Sequence, residues 1–151
     1  MKKYELLQGD TKKIGDHTLY RIRAMVAIGM SVSVGDLGGY VESEKCLDHS
    51  GNAWVYGNAR VSGDAQVSGN AWVSGDDAIV WFSNVGSENG TLTVCAAKGA
   101  LFVSRGCFSG TDSEFMEAVE KRHGLQSKIG REYSLLMDVA RSRIEVVSDE
   151  D

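Results

Sequence analysis

The sequence predicts a mainly β fold built around a solenoid of short parallel strands, with an N-terminal β cap and a C-terminal α+β module. Three observations lead to this prediction. A six-residue repeat occupies the middle of the chain, glycine is abundant while proline is absent, and helix-period patterns follow near the C-terminus. Of the 18 glycines in 151 residues, 14 lie between Gly29 and Gly110. Many glycines without prolines indicate tight turns that recur between strands.

The first 40 residues predict the β cap. Residues 4–34 alternate apolar and polar side chains on either side of the stretch KKIGD at 12–16, which has the composition of a hairpin turn. A solenoid needs such a cap because its open end exposes apolar core and unpaired backbone. We therefore expect residues 1–40 to cover the start of the repeat.

The repeat itself lies within residues 41–82. Four consecutive copies of Asn/Asp-Ala-x-Val-x-Gly run from Asn52 to Gly75, and a decayed copy continues to Ile79. A strict period of six with valine always two residues after alanine excludes an amphipathic helix, whose period is 3.6. In an extended strand the alanine and valine point to one side, so they are the expected core pair, and each glycine marks a corner.

The C-terminal module is predicted to span residues 83–147 as one hairpin and two helices. The hairpin is expected from residues 91–95 and 100–104, which flank Lys98-Gly99. Thr111 and Glu114 have capping-box spacing, so a helix should begin there and end near Gly124. An apolar stripe from Ile129 to Ile144 predicts the second helix. Residues 148–151 are expected to be an acidic tail.

Composition narrows the classes of partner. The net charge of −5 argues against nucleic acid or an anionic membrane, because phosphate binding needs clustered Lys and Arg. The sequence has no run of 18 apolar residues and no signal-peptide pattern at its start, so a cytoplasmic protein is expected. Cys46, Cys95 and Cys107 lack metal or disulfide spacing. We expect no metal and no cofactor, with Cys95 and Cys107 as small buried residues on hairpin strands.

The positions between alanine and valine should face outward. These positions, together with the tyrosine at the first corner, form the predicted binding interface: Trp54, Tyr56, Arg60, Gln66 and Trp72. If one coil takes 18 residues, the two tryptophans stand side by side on successive coils. Exposed aromatic residues mark interfaces, since Trp and Tyr dominate binding hot spots. The alternative is that the C-terminal helices fold back and cover this face.

The repeat resembles the hexapeptide-repeat proteins that form left-handed β-helices, so the solenoid is expected to be a short left-handed parallel β-helix. The flanking residues are also similar to small hexapeptide-repeat proteins carried by tailed phages and prophages. The stretches that carry this resemblance are Gly35–Glu44, Leu47–Gly57, Trp81–Ser87 and Gly106–Thr111.

The resemblance implies a phage-encoded, non-enzymatic protein that binds a host protein, for example to inhibit a host antiviral defence system. Two alternatives stay open. Acyltransferases of the hexapeptide-repeat class use a histidine at the coil edge as general base, and His49 lies near the start of the repeat. The second alternative is a structural protein that self-assembles through its β-helix. Because so short a repeat has little core of its own, a homo-oligomer is expected, as a dimer or a trimer.

Overall fold

The computed structural model describes residues 2–147, which form ten β-strands and two α-helices. The strands are β1 (Tyr4–Ile14), β2 (His17–Ala24), β3 (Leu37–Val41), β4 (Trp54–Val55), β5 (Arg60–Val61), β6 (Trp72–Val73), β7 (Ile79–Val85), β8 (Gly90–Ala96), β9 (Leu101–Arg105) and β10 (Phe108–Thr111). The helices are α1 (Asp112–His123) and α2 (Lys128–Arg143). The predicted acidic tail, residues 148–151, lies outside the described residues.

The strands belong to three small sheets. A mixed sheet has the order β1-β2-β3-β5, an antiparallel sheet has the order β10-β9-β8-β7, and β4 pairs with β6 as a parallel ribbon. In the mixed sheet, β1, β2 and β3 are antiparallel neighbours, while β3 and β5 are parallel. One continuous apolar core joins the three sheets and the two helices.

The predicted left-handed parallel β-helix is wrong, because none of these sheets forms a solenoid. The repeat contributes only two-residue strands, and its third copy contributes a single bridge from Val67 to Leu47. Much of its backbone pairs outside the repeat. β5 bonds to β3, and the Gln66 backbone N–H donates to Thr93 Oγ1 on β8 at 3.0 Å. The flanking sheets therefore supply some of the hydrogen-bond partners of the repeat.

The burial of alanine and valine in all four copies agrees with the prediction from the sequence. All four alanines and all four valines of the repeat are buried, so they are the core pair of each copy. Gly57, Gly63 and Gly69 adopt positive φ at the corners, with values between 57° and 63°. Trp54 also pairs with Trp72, at the expected distance of 18 residues along the chain. The prediction of a β-helix therefore failed for the segments that pack around the repeat.

Both predicted hairpins and both predicted helices are confirmed. β1 and β2 pair up to Ile14 and His17 around the Gly15-Asp16 turn, and β8 pairs with β9. Thr111 and Glu114 form a reciprocal capping box at the start of α1, and Gly124 is its C-cap. Strands β7 and β10, which have no counterpart in the predicted module, extend the second hairpin into a four-stranded sheet.

We predict that Val61→Asp and Val67→Asp each prevent folding, because both valines are at most 1% exposed and an unpaired buried carboxylate costs several kcal/mol. Gln66→Lys is the matched control, since Gln66 is exposed and only its backbone N–H is bonded. It should change the free energy of unfolding by less than about 0.5 kcal/mol. Thermal denaturation measures both effects, and similar melting temperatures for the two kinds of variant would contradict the assigned orientation of the repeat.

Candidate functional site

The two tryptophans of the predicted interface lie side by side but in different environments. Trp54 is only 1% exposed, and the Tyr4 ring meets it edge-on with ring centroids 6.3 Å apart. Gly38 of β3 lies against it so closely that a Cβ there would be 2.8 Å from Trp54 Cζ2. The prediction that Trp54 is exposed is therefore wrong. The N-terminal sheet covers this indole, and neither a partner nor the C-terminal helices are needed to do so.

Trp72 and Tyr56 form a half-buried aromatic stack at the surface. Their ring centroids are 5.2 Å apart with planes 24° from parallel. The ammonium of Lys98, in the turn between β8 and β9, lies 4.9 Å from the Trp72 ring centroid, within range of a cation–π interaction. Burial raises the pKa of Tyr56, and hydrogen bonding with Ser31 partly offsets this rise. The stack therefore connects the repeat to the loop that contains Ser31.

The other two predicted interface residues have different surroundings. The Arg60 guanidinium is exposed but bonds to the Asp76 carboxylate, with Nη2 to Oδ2 at 2.7 Å, and this hydrogen bond raises its pKa. Gln66 is exposed and lines a polar cleft shared with Glu44 and Ser68. Of the five predicted residues, Tyr56 and Trp72 are thus the two whose side chains meet at the surface.

The loop between β2 and β3 is the part of the surface that the sequence analysis missed. Its Ile28 and Val32 are buried and exchange both backbone hydrogen bonds, at 2.8 Å and 3.2 Å. Met30 lies between these two anchors and is fully exposed, at 103% of its reference area. Met25 and Val34 of the loop and Leu37, the first residue of β3, are also exposed apolar residues. Gly29 and Gly35 were the features of the sequence that could have indicated a structured loop here. Both residues adopt positive φ in the structure.

Met30, Ser31, Tyr56, Trp72 and Lys98 together define what we call the loop-aromatic surface. Ser31 interacts with Tyr56, Tyr56 stacks on Trp72, and Lys98 covers the far ring. Tyr56, Trp72 and Lys98 are therefore in contact with one another, and the exposed Met30 is the chain neighbour of Ser31. Such patches mark sites of protein association.

His49 is held by hydrogen bonds at both ring nitrogens. Its Nδ1 accepts from the Lys3 backbone N–H at 3.0 Å, so Nε2 must carry the hydrogen and donate to Glu44 Oε1 at 2.9 Å. The ring also stacks on Tyr4, with centroids 4.2 Å apart. A cavity of about 240 Å³ lies beside it. In this arrangement His49 has no free nitrogen with which to accept a proton from a substrate.

Lys3 is a buried cation that attaches the N-terminal strand to the first repeat. It is 3% exposed, and its ammonium donates to the carbonyl oxygen of Ala53 at 2.7 Å. Burial lowers the pKa of Lys3 to about 8, and the carboxylate of Asp48 opposes this shift. Its protonation therefore differs between the folded and unfolded states above about pH 8.

The three cysteines are free thiols in different environments. Cys46 and Cys95 are buried, and burial raises the pKa of both. Cys107 is exposed in the turn between β9 and β10, so the prediction of a buried Cys107 on a strand is wrong. Among residues 2–147, no group of three or more Cys, His, Asp and Glu side chains has an arrangement that could hold a metal ion.

Neither α1, with 12 residues, nor α2, with 16, has the length and hydrophobicity that a membrane-spanning helix requires. Comparison with protein-family models, curated proteins and solved structures found no match for this chain. The resemblance to phage-encoded hexapeptide-repeat proteins thus stays a prediction.

We predict losses of stability of different size for the two paired tryptophans. Trp54→Ser should lower the free energy of unfolding by about 3–5 kcal/mol, because it leaves a cavity beneath the N-terminal sheet. Trp72→Ser should cost about 1 kcal/mol, since this half-buried indole loses one aromatic stack and one cation–π contact. Urea denaturation of the two variants compares them directly. Equal losses would contradict the assignment of Trp54 to the core and Trp72 to the surface.

We also predict that Lys3 makes stability depend on pH. The unfolded state keeps the Lys3 proton up to about pH 10.5, whereas the folded state loses it from about pH 8, so stability rises across this window. Relative to a Lys3→Met variant, the wild type should gain on the order of 1–2 kcal/mol between about pH 7 and pH 9.5.

Lys2→Met is the matched control for this experiment, because Lys2 is exposed and pairs with Glu44 at the surface. Its unfolding free energy should follow the same pH profile as the wild type. Parallel profiles for the wild type and Lys3→Met would show that burial does not shift the Lys3 titration.

Proposed function

We propose that this protein is a non-enzymatic binding protein that engages a host protein through its loop-aromatic surface. One observation carries the proposal: Met30 is fully exposed between two buried anchors, in the loop whose Ser31 interacts with the half-buried stack of Tyr56 and Trp72. Soluble monomers rarely leave contiguous apolar patches bare. Methionine suits such a surface, because its flexible thioether adapts to the shape of a partner.

The chemistry of the surface describes the partner. Met30 requires an apolar pocket, while the exposed faces of Tyr56 and Trp72 require a flat apolar or aromatic area. Lys98 carries the positive charge of the patch, so an acidic group opposite it would gain a charge-assisted contact. We therefore propose a protein partner with an apolar groove and a carboxylate at its edge.

The loop between β2 and β3 has a fixed conformation in the absence of a partner. Backbone hydrogen bonds between Ile28 and Val32 hold its shape, and their side chains pack into the core. A tip fixed in this way loses little conformational freedom on binding, which favours affinity. This is the property expected of an inhibitor. Inhibition of a host antiviral defence system is the role that the resemblance to phage proteins implies, and we include it in the proposal.

The acyltransferase alternative is not favoured by the geometry. A general base needs a free nitrogen directed at its substrate, whereas the lone pair of His49 is used by the Lys3 backbone N–H. Nor is a self-assembling β-helix proposed, since the sheets form no solenoid.

The proposal also includes a homo-oligomer. Helix α2 exposes Leu135 and Val139, which are four residues apart and so lie on one face of the helix. Their exposed fractions are 66% and 44%. A second copy of the chain is the occupant that we propose for this face, because the loop-aromatic surface then stays free for the host protein.

We predict that Met30→Asp abolishes host-protein binding while the fold remains intact. The experiment captures partners from host lysate with the wild-type protein, identifies and purifies the dominant one, and measures its Kd for each variant. Replacing a hot-spot anchor costs about 2 kcal/mol or more, which is a loss of affinity of about 30-fold. Unchanged melting temperature verifies folding, since Met30 packs against nothing in the core.

Leu135→Asp is the matched control, because it places the same charge at an exposed apolar position on another element. It should retain host binding and instead lower the molar mass measured by light scattering. Loss of host binding in Leu135→Asp but not in Met30→Asp would move the interface to α2. A wild-type mass of 16.3 kDa at micromolar concentration would refute the oligomer.

A further inference from the structure

A second feature of the molecule is a cavity of about 250 Å³ in the C-terminal part of the chain. It lies between the turn that follows β7, the turn between β9 and β10, and helix α1. Basic side chains form one part of its lining and aromatic side chains another: Arg105, Arg122, His123, Phe108, Phe115 and Tyr133. None of these residues belongs to the loop-aromatic surface, so the cavity is an independent site.

Arg105 is a buried cation without a close countercharge. Its side chain is 11% exposed, and the nearest carboxylate oxygen, on Glu88, is 3.9 Å from Nη1. Glu88 is itself 75% exposed, so water screens its charge. Within residues 2–147, Nε of Arg105 is a buried nitrogen without a hydrogen-bond partner. A buried guanidinium in this state is unfavourable unless an anion compensates it.

Two glycines lie beside the Arg105 guanidinium. A Cβ at Gly90, at the start of β8, would be 3.4 Å from its Cζ atom, which is ordinary van der Waals contact. A Cβ at Gly86 would clash with the Tyr133 hydroxyl and lie 3.1 Å from Arg105 Nη2, and its φ of 79° disfavours other residues. The turn after β7 therefore packs closely against the guanidinium.

Helix α1 adds a second guanidinium to the same cavity. Arg122 occupies its last turn, next to His123, and both residues contribute to the lining. Against these groups the lining contains one carboxylate, that of Glu88. The whole chain carries a net charge of −5, so this cavity concentrates cations in an otherwise acidic protein. A positive potential in a confined space attracts anions.

The remaining wall of the cavity is aromatic. Phe115 meets Phe108 edge-on at 5.5 Å and Tyr133 edge-on at 5.1 Å, measured between ring centroids. Such a wall accepts a ring or a short aliphatic group. A cavity of this volume lies below the usual 300–1,000 Å³ of drug-sized ligand sites, so it fits a small molecule.

We propose that this cavity binds a small organic anion, a carboxylate or phosphate monoester attached to a single ring or short aliphatic body. The anionic group lies toward Arg105 and Arg122, and the apolar body packs on Phe108 and Phe115. Both halves of the ligand are required, because the cationic and aromatic parts of the lining recognise different groups.

NMR titration with phenyl phosphate and with benzoate tests the proposal. At least one of them should bind saturably with a Kd below about 10 mM and shift the Nε–H resonance of Arg105, which is assigned with an Arg105→Lys variant. Raising sodium chloride from about 50 mM to about 500 mM should weaken binding, as salt screens the cations. Absence of saturable binding by both probes would overturn the proposal.

Two matched comparisons make the test specific. Arg122→Gln should raise the Kd at least about fivefold, whereas Arg131→Gln, at an exposed position of α2, should leave it unchanged. Benzylamine, which has a similar ring but a positive charge, should fail to bind. Equal effects of the two substitutions, or equal binding of benzylamine, would contradict the assigned cationic site. Inorganic phosphate binding as tightly as phenyl phosphate would contradict the aromatic part.

Discussion

The backbone of β3 lies directly against the first two repeats at Gly38 and Gly39, and this close approach determines much of the remaining structure. A Cβ at Gly38 would be 2.6 Å from the carbonyl oxygen of Val55, and one at Gly39 would be 2.7 Å from Val55 Cγ1. No side chain fits at either position. Two adjacent glycines in a strand therefore allow the N-terminal sheet to cover the repeat and bury Trp54.

The core of the repeat also contains residues from outside it. Its own core side chains, alanine and valine, are small and each buries little apolar area. Larger residues from the flanking segments add to this area. Tyr4 and Leu47 pack on its N-terminal side, and the Phe102 ring approaches Gly69 from the C-terminal sheet. The repeat is the centre of a mixed core rather than a solenoid of its own.

This arrangement shows which parts of the fold could be predicted from sequence. The capping box at Thr111 and Glu114 and the hairpin turn at Gly15 depend on a few adjacent residues, so their patterns were sufficient. The burial of alanine and valine in the repeat follows from strand geometry alone. The pairing of Val67 with Leu47 and of β5 with β3 depends on segments without the repeat pattern, and no periodicity could indicate it.

The candidate site, like the fold, could be predicted only in part from the sequence. Trp54 and Trp72 occupy equivalent positions of the repeat, and the 18-residue spacing correctly placed them side by side. Their different exposure is set by Gly38 and Tyr4, which are distant in sequence. The loop-aromatic surface combines Met30 from the N-terminal cap, Tyr56 and Trp72 from the repeat, and Lys98 from the C-terminal sheet. Because three separate parts of the chain contribute, this surface exists only when the whole core has formed. Destabilising the core would therefore weaken binding without altering any residue in contact with the partner.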